Sequence, residues 1–124
     1  MTVVIVRIGD WEHECCGEAV GVNQIVEFGC LTLRRATGEE QLVETHHDRE
    51  PDVYVRGRVS EISVVDGGGV QRSIVRVPSG LALRGFDPRD DGHLEEQHTG
   101  LVVDAKPEVF DVKVIANEIS KEPA

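Results

Sequence analysis

Val53-Tyr54-Val55-Arg56-Gly57-Arg58-Val59-Ser60-Glu61-Ile62-Ser63-Val64-Val65 is the stretch on which the fold turns. Val53, Val55, Gly57 and Val59 fall on one face of an extended chain, whereas Ile62 and Val64 have the opposite parity. Side chains alternate strictly along a strand, so both sets reach one core only if an extra residue is inserted near Ser60-Glu61. The sequence therefore predicts a long strand with a bulge, and a glycine-bearing bulged strand lets a small sheet curl over on itself.

Working outward, Asp66-Gly67-Gly68-Gly69 supplies a hairpin turn into a strand over Val70–Val77, and Pro78-Ser79-Gly80 marks another turn. Further strands are expected over Val3–Ile8, Gln24–Leu33, Leu81–Phe86, Leu101–Asp104 and Val109–Asn117. In the last of these Phe110, Val112, Val114 and Ala116 share a face. The best helix candidate, Glu39 to His47, has Leu42 and Val43 as its only apolar residues and reads equally well as a short strand. Asp87 to Gly100, polar and containing Pro88 and Gly92, reads as a loop. The expectation is an all-β chain of about seven strands with little or no helix. It forms one small barrel of the OB-like or SH3-like kind over residues 1–117, followed by a flexible tail over 118–124.

The 124 residues carry 23 Asp and Glu against 13 Lys and Arg, a formal charge of −10. That acidity repels phosphate backbones, so binding of single-stranded nucleic acid ranks third among the functional readings. No apolar run approaches the ~20 residues of a membrane span. Val3-Val4-Ile5-Val6 is broken by Arg7 and lacks the flanks of a signal peptide, so a cytoplasmic location is expected. Three cysteines, two of them adjacent, suit free thiols in a reducing compartment.

Charge is uneven. Arg56, Arg58, Arg72 and Arg76 fall in a net-positive island between the acidic stretches Glu39–Asp52 and Asp87–Glu96. The island is a candidate face for an acidic partner; the opposing reading has these arginines paired with acids of the same molecule. Trp11, the one tryptophan, is either a plug in the end of the barrel or an exposed anchor for a partner.

No phosphate-binding glycine motif and no G-x-S-x-G element occurs. The chemically loaded segments are Trp11-Glu12-His13-Glu14-Cys15-Cys16-Gly17, Cys30, and Glu44-Thr45-His46-His47-Asp48. Thiolates and imidazoles are the donors zinc prefers, so Cys15, Cys16, His46 and His47 form a candidate zinc site, with His13 and Cys30 as substitutes. If residues 13–16 are extended, His13 and Cys15 share a face and Cys16 opposes them. No C-x-x-C knuckle is present, and Cys30 between apolar neighbours suits core packing. A nucleophilic Cys15 or Cys16, served by His46 or His47 with Glu44 or Asp48, is opposed by Glu12, Glu14 and Glu18. Nearby negative charge suppresses the thiolate. His93 and His98 have no partner that the sequence specifies.

Trp11-x-x-Glu14-Cys15-Cys16-Gly17, followed by Val20-Gly21, by Glu44-Thr45-His46-His47 and by Gly57-Arg58-Val59-Ser60-Glu61-Ile62, resembles an uncharacterised bacterial family of small domains. Its members open with W-x-x-E-C-C-G and continue with an H-H pair and G-x-V-x-x-I. The likeness covers roughly the first half of the chain. Ala19-Val20 stands where the family carries Pro-Phe, and Asp48 where it carries Gly. The resemblance implies no activity, but it groups Trp11, Glu14, Cys15, Cys16, Gly17, His46 and His47 into one motif set. The sequence thus favours a non-enzymatic binding module for a protein or small ligand, with a zinc-binding domain, structural or catalytic, as the alternative.

Overall fold

The computed structural model describes residues 2–9, 13–15, 17–46 and 50–123. Among them are ten strands: β1 (Thr2–Gly9), β2 (Val20–Gly21), β3 (Ile25–Arg34), β4 (Glu40–Glu44), β5 (Val53–Val65), β6 (Gln71–Ile74), β7 (Arg76–Val77), β8 (Leu94–Glu95), β9 (Val102–Val103) and β10 (Val109–Ser120). A helix of a single turn, α1, spans Gly80–Leu83. The all-β expectation holds.

The main sheet runs β10-β1-β4-β3-β5-β6, and β5 also pairs with β10, so five strands close into a ring with β6 attached outside it. Each antiparallel neighbour reverses strand direction, and a closed circuit needs an even number of reversals. A five-membered ring therefore cannot be antiparallel throughout. The forced parallel pair is β1–β4, joined only through Val6 opposite Leu42 and Arg7 opposite Val43.

The bulge lies where the parity of β5 demands it. Lys113 of β10 faces Glu61 and Val114 faces Val59, which leaves Ser60 as the extra residue. Its hydroxyl donates to the Lys113 carbonyl. Val55, Val59, Ile62 and Val64 consequently all point inward, meeting Val6 and Ile8 of β1, Val26, Phe28 and Cys30 of β3, and Phe110, Val112, Val114 and Ala116 of β10. A second register shift falls between Ala116 and Glu118, beside Gly57. A Cβ on Gly57 would stand 2.1 Å from the Ile115 carbonyl oxygen, so only glycine lets the two backbones come this close.

Four segments depart most from the sequence reading. Val70–Val77 is split into β6 and β7. Leu81–Phe86 is not a strand: Ser79 caps α1 by accepting from the Ala82 N–H, and Leu81 is 56% exposed. Gly85, at φ +79°, closes the turn as Gly85 and Phe86 donate to the Ala82 and Leu81 carbonyls. Those are the paired bonds of a Schellman ending, in which a left-handed glycine stops the helix. The Asp87–Gly100 loop contains β8, which pairs with β9. β10 continues past Asn117 to Ser120, with Glu118, Ile119 and Ser120 facing Arg56, Val55 and Tyr54.

Residues 66–108 thus leave the ring after β5 and return to it at β10. This arm carries β6 to β9 and α1. It is pinned to the ring by the buried side chains of Ile74, Val77 and Leu94, and β7 pairs with β2 through Val77 opposite Val20.

Candidate functional site

After β1 the chain makes a short helical turn at residues 13–15, so the extended geometry that would have put His13 and Cys15 on one face does not apply. The Gly17 N–H donates to the His13 carbonyl at 2.7 Å, and Gly80 in turn donates to the Gly17 carbonyl at 2.9 Å. Two glycines permit this docking. A Cβ on Gly80 would lie 2.3 Å from the His13 carbonyl oxygen, and a Cβ on Gly17 would lie 2.0 Å from His13 Nδ1. Through these contacts the start of α1 clamps the turn to the arm.

His13 is the product of that clamp. Its ring is 1% exposed, tilted against Phe110 with ring centroids 6.3 Å apart, and its Nε2 lies 2.6 Å from the Pro78 carbonyl oxygen. Burial pulls the imidazole below its ordinary value of 6.5; the Pro78 carbonyl opposes that pull, and His46 adds to it. The ring is therefore neutral at pH 7. A carbonyl only accepts, so the single proton sits on Nε2 and donates to Pro78. Nδ1 then carries a bare lone pair, and it is buried without a hydrogen-bond partner among the described residues. Such an atom is uncommon in a folded protein; here the Gly17 backbone covers it.

A cleft of about 440 Å³ opens beside it, between the 17–20 segment, β3 and the end of β4. Its walls include His13, Gly17, Glu18, Glu27, Glu44 and His46, with Val26 and Phe28 on the apolar side. Glu44 is 9% exposed, and its Oε1 lies 3.0 Å from His46 Nε2. Glu27 is bound by Arg56 across the β3–β5 pair. A larger cavity, about 530 Å³, lies between the Asp66-Gly67-Gly68 turn and Leu101–Asp104. Its main polar groups are engaged with one another: Asp66 accepts from Gly68, Val70 and Arg72, and Glu96 accepts from His98 and Thr99. The smaller cleft, whose walls bring His13 and Gly17 from one segment together with Glu44 and His46 from another, has the stronger claim to a ligand.

The residues singled out from the sequence scatter. Trp11, Cys16 and His47 lie outside the described residues. His46 joins the cleft, as does His13, which the sequence offered only as a substitute ligand. Cys15 is exposed and borders a neighbouring depression with Ser79, Gly80 and Leu81, so it does not share a face with His13. Cys30 points into the ring, where burial and then Glu44 push its thiol up to about 12. It packs as a hydrophobe and is no nucleophile. Among the described residues no group of three or more His, Cys, Asp or Glu side chains is arranged to hold a metal ion. His93 pairs with Asp91, and the His98 backbone N–H is capped by Glu96.

The four arginines are all engaged within the molecule. Arg56 binds Glu27 and Glu118, Arg58 donates to the Asn23 carbonyl, Arg72 binds Asp66, and Arg76 makes a two-pronged pair with Asp90. They are also dispersed. Arg58 and Val64, which faces Arg72 across the β5–β6 pair, lie ~20 Å apart along β5.

What the sequence reading missed is the central place of His13. The spacing of His13 and Gly17 is the signal that was present, since a glycine four residues on suits a close helical turn.

No helix among the described residues is long and apolar enough to cross a membrane. No curated protein and no solved structure matches the chain. The model of DUF6578, a family of unknown function, matches residues 2–107, which takes in β1 to β9 and every residue named on the cleft walls; the chain belongs to that family.

Proposed function

We propose that the protein is a non-enzymatic binding module built on an OB-type barrel, and that the cleft beside His13 is its ligand site. The connectivity of the ring supports the barrel type. Counted from β5, the strands pair β5–β10 and β10–β1, then β3–β4 as a hairpin, with β4 parallel to β1 and β3 closing back on β5. A Greek-key circuit of five strands with one parallel closure supports reading the ring as an OB-type barrel entered at a different strand.

One observation carries the site: His13 and Gly17, from the turn after β1, and Glu44 and His46, from the end of β4, meet around one cleft although the sequence keeps the two segments far apart. At about 440 Å³ the cleft falls in the size range of small-molecule sites. Fold alone does not assign a role, so the reading rests on these side chains.

The test is a small-molecule fragment screen on the full chain, read by amide chemical shifts. Saturable shifts confined to residues 13–20, 26–28 and 44–46 are expected. Hits confined to the cavity beside Asp66 and Leu101–Asp104 would overturn the assignment.

A further inference from the structure

We infer that the outer face of the ring across β10, β1, β4 and β3 is a self-association surface, covered by a second copy of this chain. The inference goes beyond the cleft and does not depend on it.

Strand parity carries the observation. Residues that alternate with the core positions of the ring point outward, and on a solvated sheet face such positions are polar. Around β5 they are. Arg56 lies between Glu27 of β3 and Glu118 of β10, and Lys113 of β10 pairs with Glu61. Around β1 they are not. Val3 and Ile5 alternate with the inward Val4 and Val6, and they are 58% and 53% exposed. Val3 lies opposite Ile115 of β10. Val43 of β4 lies opposite Arg7, one outward position along β1 from Ile5. On its other side Val43 faces Leu31 of β3, and Leu33 is the next outward residue of that strand. Six aliphatic side chains thus cross four neighbouring strands, a span of ~15 Å at ordinary strand spacing. Single exposed aliphatics need no account, but a contiguous set with a polar border marks an interface.

The charge of that border selects the occupant. The chain carries a formal charge of −10, so most of its surface repels a copy of itself. At this face the charges cancel in closed pairs: Arg7 with Asp111, Lys113 with Glu61, and Arg34 with Glu40. Arg35, held by Gln41, adds a positive charge beside them. Two acidic copies therefore meet here with the least repulsion. A strongly basic partner is drawn instead to the acidic remainder of the molecule, and a strongly acidic one is repelled by it. A flat aliphatic face is also complementary to itself across a two-fold axis, as a contact between identical patches requires. The contact is a face-to-face packing of two sheets, the arrangement that sets layers ~10 Å apart in β-sandwiches.

The experiment is analytical ultracentrifugation of the full chain from micromolar to millimolar concentration, at low and high salt, with folding followed by circular dichroism. The average mass is expected to rise from one chain toward two. Salt is expected to strengthen the association, because it screens the repulsion between the acidic copies and leaves the aliphatic contact intact. Ile5→Glu sets a carboxylate in the middle of the face, opposite Lys113 in the β1–β10 pair, so the strand keeps a cross-strand partner. It is expected to weaken dimerisation by roughly tenfold or more. Val3→Thr keeps the branched shape that strands favour and is expected to weaken it severalfold. Leu101→Glu changes an equally exposed aliphatic on the arm and should leave dimerisation as it is. A chain that stays monomeric at millimolar concentration overturns the inference. So does a dimer that salt dissociates, or one that folded Ile5→Glu and Val3→Thr leave intact. Loss of the dimer with Leu101→Glu alone moves the contact to the arm and overturns it as well.

Discussion

The ring and the arm are held together by different forces, although both are mostly strand. In the ring, four long strands place a continuous set of inward aliphatic and aromatic side chains against one another, and register follows from period-two burial. In the arm, strands of two to four residues are spaced by side chains that fold back on the backbone. Asp66 accepts from Gly68 and Val70, Asp87 from Arg89, Asp90 from Gly92, and Asp91 from His93. Carboxylates of this kind shape turns residue by residue, whereas a shared core fixes distant strands at once. In the arm, part of the chain's acidity is therefore scaffold.

The comparison breaks most completely at Phe110, which is fully buried in the ring and packs at a tilt against His13. Phe110→Ala is expected to cost about 3–5 kcal/mol in denaturant unfolding and to loosen ring and arm together. Leu94→Ala removes one of the arm's three buried anchors and is expected to cost about 2–3 kcal/mol. Hydrogen exchange should then quicken in β8 and β9 while β5 and β10 stay protected. Equal loss of protection in the ring would show that the two regions are one cooperative unit.

Gly17→Ala tests the joint between them. A Cβ placed 2.0 Å from His13 Nδ1 must displace the ring, at about 1–3 kcal/mol, and the Pro78 bond should loosen with it. The same joint has a pH signature. The folded state holds His13 below 6.5, so the unfolded chain takes up the proton first as pH falls. Stability from this group is complete above that value and is lost as pH drops through it toward the folded value. The slope is at most ~1.4 kcal/mol per pH unit. Denaturation midpoints measured from pH 7.5 to 5 should show the decline, and a His13→Asn variant should lack that component.

The smallest effect sharpens the arm alone. Arg76 holds Asp90 down to about 2, with the Gly92 N–H assisting. The stabilisation from Asp90 is therefore present above its ordinary 3.8 and is lost as pH falls toward 2. Asp90→Asn is expected to cost ~1 kcal/mol or less in thermal or denaturant unfolding, and to leave exchange in the ring unchanged.

The ring was legible because strand parity is a local property: the switch between Val59 and Ile62 located the bulge before any partner strand was known. The same alternation misread Leu81–Phe86, where Ser79 and Gly85 bracket one helical turn too short for periodicity to declare. The capping pair was the better guide. At the site, His46 beside Glu44 could be read from adjacency. The burial of His13 could not, because it depends on a carbonyl at Pro78 and a backbone approach at Gly80, both in the arm. Had residues 13–16 been extended, His13 and Cys15 would share a face; the helical turn at 13–15 separates them.

Thr2 lies opposite Ala116, so β1 begins where β10 is finishing, on the same rim of the ring. The order in which the strands are threaded is therefore separable from the sheet they build. A gene rearranged to start after the Arg35–Glu39 turn, with a short splice from β10 into β1, would encode the same inward layers and the same seam between β1 and β4. The architecture is indifferent to its starting point, which leaves the wiring free to vary while the packed interior stays fixed.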